Sequence, residues 1–168
     1  MKRSDLIPGD LIFTTPKSLW GRLIAREQKI GYSHCCFVTE WHGIVMISES
    51  EIFKGVYCSD LMSRLEGEKV TVMRPSFRFN KAMFNYNAHD KIGCKYDTRG
   101  IINQLIKEWT GLWLDKNQAD NDKSFYCVKY YGYAMSKASH KYHNYNQIDL
   151  NDVYRDWDMD HIFTGVLE

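Results

Sequence analysis

Pro75 marks a change of hydrophobic period that restricts this chain to a small set of folds. Before it the apolar residues fall in short runs bounded by turn residues, the pattern of β-strands. Leu11-Ile12-Phe13-Thr14 follows the turn Pro8-Gly9-Asp10, and Tyr32 to Thr39 is a second run. Trp41-His42-Gly43 then reads as a tight turn, with Ile44 to Glu49 as the returning strand of a hairpin. Gly55-Val56-Tyr57-Cys58 and Val70-Thr71-Val72-Met73 complete the set. After Pro75 the period becomes about 3.6. Helices are expected over Asn80 to Ile92 with Gly93 as the stop, over Thr98 to Trp109, and from Ser124–Cys127 through Ala138. The second of these carries Ile101, Ile102, Leu105, Ile106 and Trp109 on one face. An earlier helix over Lys17 to Gln28, with Leu19, Trp20, Leu23 and Ile24 on one side, interrupts the strands. A short final helix after Asn151 and a polar loop over Asp115 to Lys123 complete the reading. Strands come first and helices later, without a repeating βαβ unit. That order predicts an α+β domain with an antiparallel sheet.

At 168 residues the chain suits one compact domain spanning 1–168. Hydrophobic residues at 44% and charged residues at 26% give a globular balance. A net charge of +1 supplies no electrostatic argument for a nucleic-acid partner. No run approaches the roughly eighteen apolar residues of a membrane span, so no integral membrane segment is expected. Met1-Lys2-Arg3-Ser4-Asp5 is not followed by an apolar stretch, so no secretory signal is read and a cytoplasmic location is expected. Five Cys without regular spacing describe neither a disulfide framework nor a zinc ribbon. Free thiols, no metal and no cofactor are the resulting expectation.

Cys127 falls at the start of a predicted helix, where unpaired N–H groups and the positive end of the helix dipole favour a thiolate. The same donors suit an oxyanion formed when that thiolate attacks a carbonyl. His34 lies within an apolar strand, a rigid place for a general base. Glu49 ends the partner strand, from which a carboxylate can reach and orient that imidazole. Other signals are weaker. Asp156 to Asp160 resembles a calcium loop, but the Gly and Glu such a loop requires are replaced by His161 and Leu167. His140 and His143 have no companion ligands, and a zinc set of His34, Cys36 and Cys58 lacks standard spacing.

Taken in order, these segments resemble the circularly permuted NlpC-type papain-like cysteine hydrolases, including YiiX-like proteins, and more distantly lecithin retinol acyltransferase. Pro8 to Phe13 is similar to the family's opening strand, and Ser33-His34 with Val38 to its SHxxxV strand. Ser48-Glu49-Ser50 with Gly55-Val56 resembles its EA…GV segment. Gly93 to Asp97 resembles its GxxYD motif, and Phe125-Tyr126-Cys127 its nucleophile helix. The likeness spans about residues 6 to 135. It implies a papain-like fold of permuted topology, a small curved sheet facing a helix that carries the nucleophile. It further implies Cys127 as nucleophile, His34 as base, Glu49 as orienting group and Tyr96 near the substrate, with Asp97 structural.

The expected function is therefore a thiol-dependent hydrolase or acyltransferase. It would act on peptide, isopeptide or lipid-like amide and ester bonds through a Cys127 thioester. The rival is an inactive papain-like module that binds an apolar ligand or a partner protein. Two positions depart from the family: Ser50 stands where Ala is common, and Cys36 where Gly is usual. Strand alternation puts Cys36 on the same face as His34. Cys36 is therefore expected to approach Cys127 and to pair with it, or to bind a soft metal, under oxidation or metal load.

Overall fold

The structure is a computed structural model, which describes residues 1–16, 19–112 and 122–168. It is a mixed α+β fold around a six-stranded antiparallel sheet. In chain order the elements are β1 (Leu11–Thr14), α1 (Leu19–Gln28), β2 (His34–Trp41), β3 (Ile44–Glu51), β4 (Gly55–Asp60) and α2 (Leu61–Arg64). Then follow β5 (Lys69–Pro75), α3 (Lys81–Asp90), β6 (Lys95–Tyr96), α4 (Thr98–Thr110), β7 (Ser124–Phe125), α5 (Cys127–Ala138), α6 (Leu150–Tyr154) and β8 (Met159–Val166). The sheet order is β4-β3-β2-β1-β5-β8, and β6 with β7 forms a small parallel pair. The turn between β2 and β3 has left-handed backbone at His42 and Gly43, the geometry that suits a two-residue hairpin.

The sheet separates two apolar clusters. On one side, Leu11, Phe13, Cys35 and Phe37 pack with α3 and α5, where Phe84, Tyr130, Tyr131 and Ala134 are buried. On the other, Ile12, Cys36, Val38, Ile47, Val70 and Val72 pack beneath Leu6, Leu61, Leu65 and Leu167. Successive residues of β1 and β2 therefore enter different clusters, so these strands are buried on both faces.

Three expectations need correction. A strand was not expected at the C-terminus, yet β8 pairs with β5 from Pro75–Met159 to Lys69–Val166. Its mostly exposed residues give no clear alternation, because it is an edge strand whose placement comes from its partner. The last helix is capped by Asp149, which accepts from the Asp152 N–H at 2.7 Å, not by Asn151. The face of α4 is also rotated: Asn103 and Gln104 are buried, while Ile102 and Trp109 stand exposed. Leu19 and Leu23 of α1 are exposed as well. Lys17, Ser18 and residues 115–121 of the expected polar loop lie outside the described residues.

Buried charge fixes the approach to α5. Lys129 is 1% exposed and its Nζ donates to Asp97 Oδ2 at 2.9 Å. Asp97 Oδ1 also accepts from the Gly100 N–H at 2.8 Å and so caps α4. One carboxylate thereby ties the start of α4 to the first turn of α5. Removing the cation leaves that carboxylate buried without its counter-charge. Lys129→Met is expected to lower unfolding stability by about 3–5 kcal/mol, read as a fall in thermal midpoint. Asp97→Asn in the same chain should recover part of that loss.

Candidate active site

The β2–β3 ladder runs from Trp41–Ile44 to Phe37–Ser48, and beyond that pair the strands no longer bond to each other. β2 continues on β1 as far as His34–Thr14, while β3 continues on β4 as far as Glu51–Gly55. The N-terminus of α5 meets β3 at this divergence, where Ser50 Oγ donates to the Phe125 carbonyl at 2.6 Å. Tyr126 is the N-cap residue and provides no side-chain cap for α5, its hydroxyl donating instead to the Ile148 carbonyl at 2.9 Å. Cys127, the first residue of the helix, is 4% exposed.

His34 bridges the two sides of the divergence. Its Nε2 donates to Glu49 Oε2 at 3.0 Å, and its ring is close enough to the Cys127 sulfur for each to shift the other's titration. Glu49 is fully buried and receives further donors from other elements. Arg64 donates to it twice, Nε to Oε1 at 2.6 Å and Nη2 to Oε2 at 2.8 Å. The Tyr57 hydroxyl donates to Oε1 at 2.9 Å.

These contacts set the charges. Burial alone would raise the Glu49 carboxyl, but the hydrogen bonds and positive charges of His34 and Arg64 bring it to about 2. Burial alone would lower His34, yet its bonds to Cys127 and Glu49 and their negative charges raise it to about 10. The hydrogen bond from the Cys35 thiol opposes the burial of Cys127. Together with the His34 bond and charge, it holds the Cys127 thiol well below its usual value. All three shifts favour a thiolate beside an imidazolium, backed by an anionic carboxylate.

A cleft of about 270 Å³ opens beside His34, lined in part by Thr14, Gly21, Ile24, His34, Ser50 and Tyr96. Burial and the nearby Cys127 charge push the Tyr96 phenol well above its usual value. The structure thus brings Cys127, His34, Glu49 and Tyr96 into one neighbourhood.

It does not bring Cys36 there. Cys36 lies on the opposite face of the sheet, with its thiol directed to the Ile12 carbonyl at 3.8 Å. Cys35 is the cysteine that meets Cys127. The error came from His34, which opens β2 and meets Glu49 and Cys127 across a gap, so strand alternation does not fix what it touches. The zinc set discounted for its spacing is not assembled either: Cys36 faces the other cluster and Cys58 meets Ser48 Oγ at 3.0 Å. Sequence reasoning also missed Arg64 and Tyr57. Tyr57 stands opposite Glu49 in the β3–β4 register, information that exists only once the hairpin is aligned.

His34, Glu49 and Glu51 form the described group with metal-ligand chemistry, their donor atoms lying within 4.8 Å of one another. A cation already stands among them. Arg64 holds both Glu49 oxygens, and its Nη2 lies 3.4 Å from Glu51 Oε1. The set does not fit a resident divalent ion unless Arg64 is displaced.

No protein-family model matches this chain, and no curated protein sequence matches it. Its fold is similar to that of the metalloprotein YiiX (DUF1105) from Escherichia coli O157:H7. The TM-score is 0.64, over 94% of this chain and 96% of that one, at 14% identity. Among the described residues no helix is long and apolar enough to cross a membrane.

The charges fix a pH dependence. Protonated His34 favours the folded state fully below its ordinary 6.5, and that contribution is lost as pH rises through about 10. Ionised Glu49 favours folding above its ordinary 4.5, and its share is lost as pH falls through about 2. NMR titration of the His34 ring should show a midpoint near 10 in the native chain. In Glu49→Gln the midpoint should fall, because one of the two anionic partners is gone.

Proposed function

We propose that the chain is a thiol-dependent acyl-transfer enzyme of permuted papain-like architecture, with Cys127 as nucleophile. The observation that carries this reading is the meeting of Cys127 with the hydrogen-bonded pair His34–Glu49 at the N-terminus of α5. The thiolate attacks an amide or ester carbonyl carbon, and the developing oxyanion is met by the backbone N–H groups of the first turn of α5. His34 gives its proton to the departing amine or alcohol as the C–N or C–O bond breaks, leaving a thioester on Cys127. Water or a second nucleophile then attacks the thioester, with neutral His34 taking its proton, and the thiolate is released. Glu49, tied down by Arg64, holds the ring in position and balances its charge. Tyr96, in the cleft wall, contacts the substrate.

The substrates proposed are peptide or isopeptide bonds, or lipid-like amides and esters, approached through a cleft with both polar and apolar lining. Metal chemistry is not transferred from YiiX to this chain. The acidic group that would hold an ion is already neutralised by Arg64, and no step needs a metal. The rival reading, an inactive binding module, gives no account of why a buried thiol should be held in its charged form.

Iodoacetamide alkylation of Cys127 against pH tests the proposal directly. Rapid labelling is expected well below about pH 8.5, the reference thiol value, and His34→Ala should return the profile to that of an ordinary thiol. Slow labelling indifferent to His34 would move the assignment to the binding module. On a panel of p-nitrophenyl acyl esters, Cys127→Ala should abolish turnover. Glu49→Gln is expected to reduce turnover by about a hundredfold or more, as when a histidine loses its orienting carboxylate.

A further inference from the structure

The cysteine beside Cys127 takes no covalent part in the proposed acyl transfer; it only helps to hold the Cys127 thiol low. Cys35 is fully buried and occupies the same apolar cluster as Cys127. Its side chain and backbone both act on the Cys127 sulfur, and the two thiols shift each other's titration in opposite directions. Its backbone is held by the β1–β2 ladder opposite Phe13, so the contact is built from a strand and a helix start, not from loops. The remaining cysteines are committed elsewhere: Cys36 to the Ile12 carbonyl, Cys58 to Ser48 and Cys94 to the Asp122 carbonyl. All five are free thiols.

We propose that Cys35 and Cys127 are a peroxide-responsive thiol pair, in which Cys35 resolves oxidised Cys127 into a reversible disulfide. This goes beyond the acyl-transfer reading but rests on the same reactive Cys127. The Cys127 thiolate attacks one oxygen of hydrogen peroxide, the O–O bond breaks, and hydroxide leaves as water after taking one proton. Cys127 is then a sulfenic acid. The Cys35 sulfur attacks the Cys127 sulfur, the S–O bond breaks, and the departing hydroxide takes the Cys35 proton to leave as water. Overall two thiols and one peroxide give one disulfide and two waters.

Two consequences follow from the position. The disulfide occupies the nucleophile, so acyl transfer stops while the pair is oxidised. It also protects the site, because a resolved sulfur does not advance to the sulfinic or sulfonic acid, which simple thiols cannot reverse. Cys36 cannot substitute for Cys35, since it faces the other side of the sheet.

The test treats the native chain with hydrogen peroxide near stoichiometry and maps its peptides without reduction. The expected result is a Cys35–Cys127 linked peptide, the loss of two of the five free thiols, and loss of iodoacetamide labelling at Cys127 that dithiothreitol restores. In Cys35→Ala, Cys127 should instead be captured as its sulfenic acid when dimedone is present, and without dimedone should pass under further peroxide to sulfinic acid, with no recovery by dithiothreitol. Cys36→Ala should behave as the native chain. Over-oxidation of Cys127 with Cys35 still free, a disulfide to another cysteine, or no oxidation of Cys127 would each overturn the proposal. The alkylation profile of the unoxidised sample reports separately on the nucleophile, so fast His34-dependent labelling without a disulfide would reject the switch alone.

Discussion

The candidate site depends on one buried carboxylate. Glu49 has no exposed surface, so its charge must be matched inside the protein or neutralised. Donors from β2, β4 and α2 converge on it: His34, Tyr57 and Arg64. An ion buried in this way is costly unless every lone pair is used, and here both oxygens are used twice. Arg64 is in turn held by Glu68 at 2.8 Å, so the guanidinium cannot leave easily. The cluster therefore fixes the relative positions of two strands at the place where their own ladder has ended.

That end of the ladder creates the space for chemistry. Had the β2–β3 pairing continued past Phe37–Ser48, the ends of both strands would be closed against each other. Separation instead exposes the start of β2 to the first turn of α5, and the gap is bridged by side chains, not backbone. Ser50 binds the Phe125 carbonyl from β3, and the Asp97–Lys129 pair binds α5 to α4 from the other side. Small oxygen-bearing residues and one buried ion pair thus aim the helix end at His34. A helix dipole acts only over about one turn, so this aim decides whether it reaches the sulfur.

Much of this architecture was readable from the chain, and the exceptions have physical causes. The runs read at Leu11–Thr14, Ile44–Glu49 and Val70–Met73 show strand pattern because their burial is imposed by neighbouring sheet strands, which carry β3 on to Glu51 and β5 out to Lys69 and Pro75. Helices α3 and α5 were readable in type and approximate extent; Asn80, read as the first helical residue, is the cap of α3, accepting from the Met83 N–H at 3.1 Å. β8 was not, since an edge strand on β5 has mostly exposed residues and its place is decided by its partner. The rotation of α4 was hidden because apolar periodicity cannot foresee burial of Asn103 and Gln104. At the site, the spacing of His34, Glu49 and Cys127 could be read, whereas Arg64 depends on where α2 returns to the sheet. Confusing Cys35 with Cys36 illustrates how one strand-end residue can defeat an alternation argument that holds along the rest of β2.

The charge pattern restricts which roles the residues can have under the proposed chemistry. With His34 raised to about 10 and the Cys127 thiol held low, the proton already sits on the ring before substrate arrives. No base step precedes attack, and the imidazolium's proton is available for the leaving group. Glu49, at about 2, is too weak a base to take that proton, so its part is orientation and charge balance. Arg64 reinforces this by keeping Glu49 ionised. A second carboxylate of ordinary basicity in the same place would compete with the leaving group for the His34 proton. The buried Arg64–Glu49 pair removes that competition, which is a reason for an active site of this kind to retain an ion pair behind its histidine.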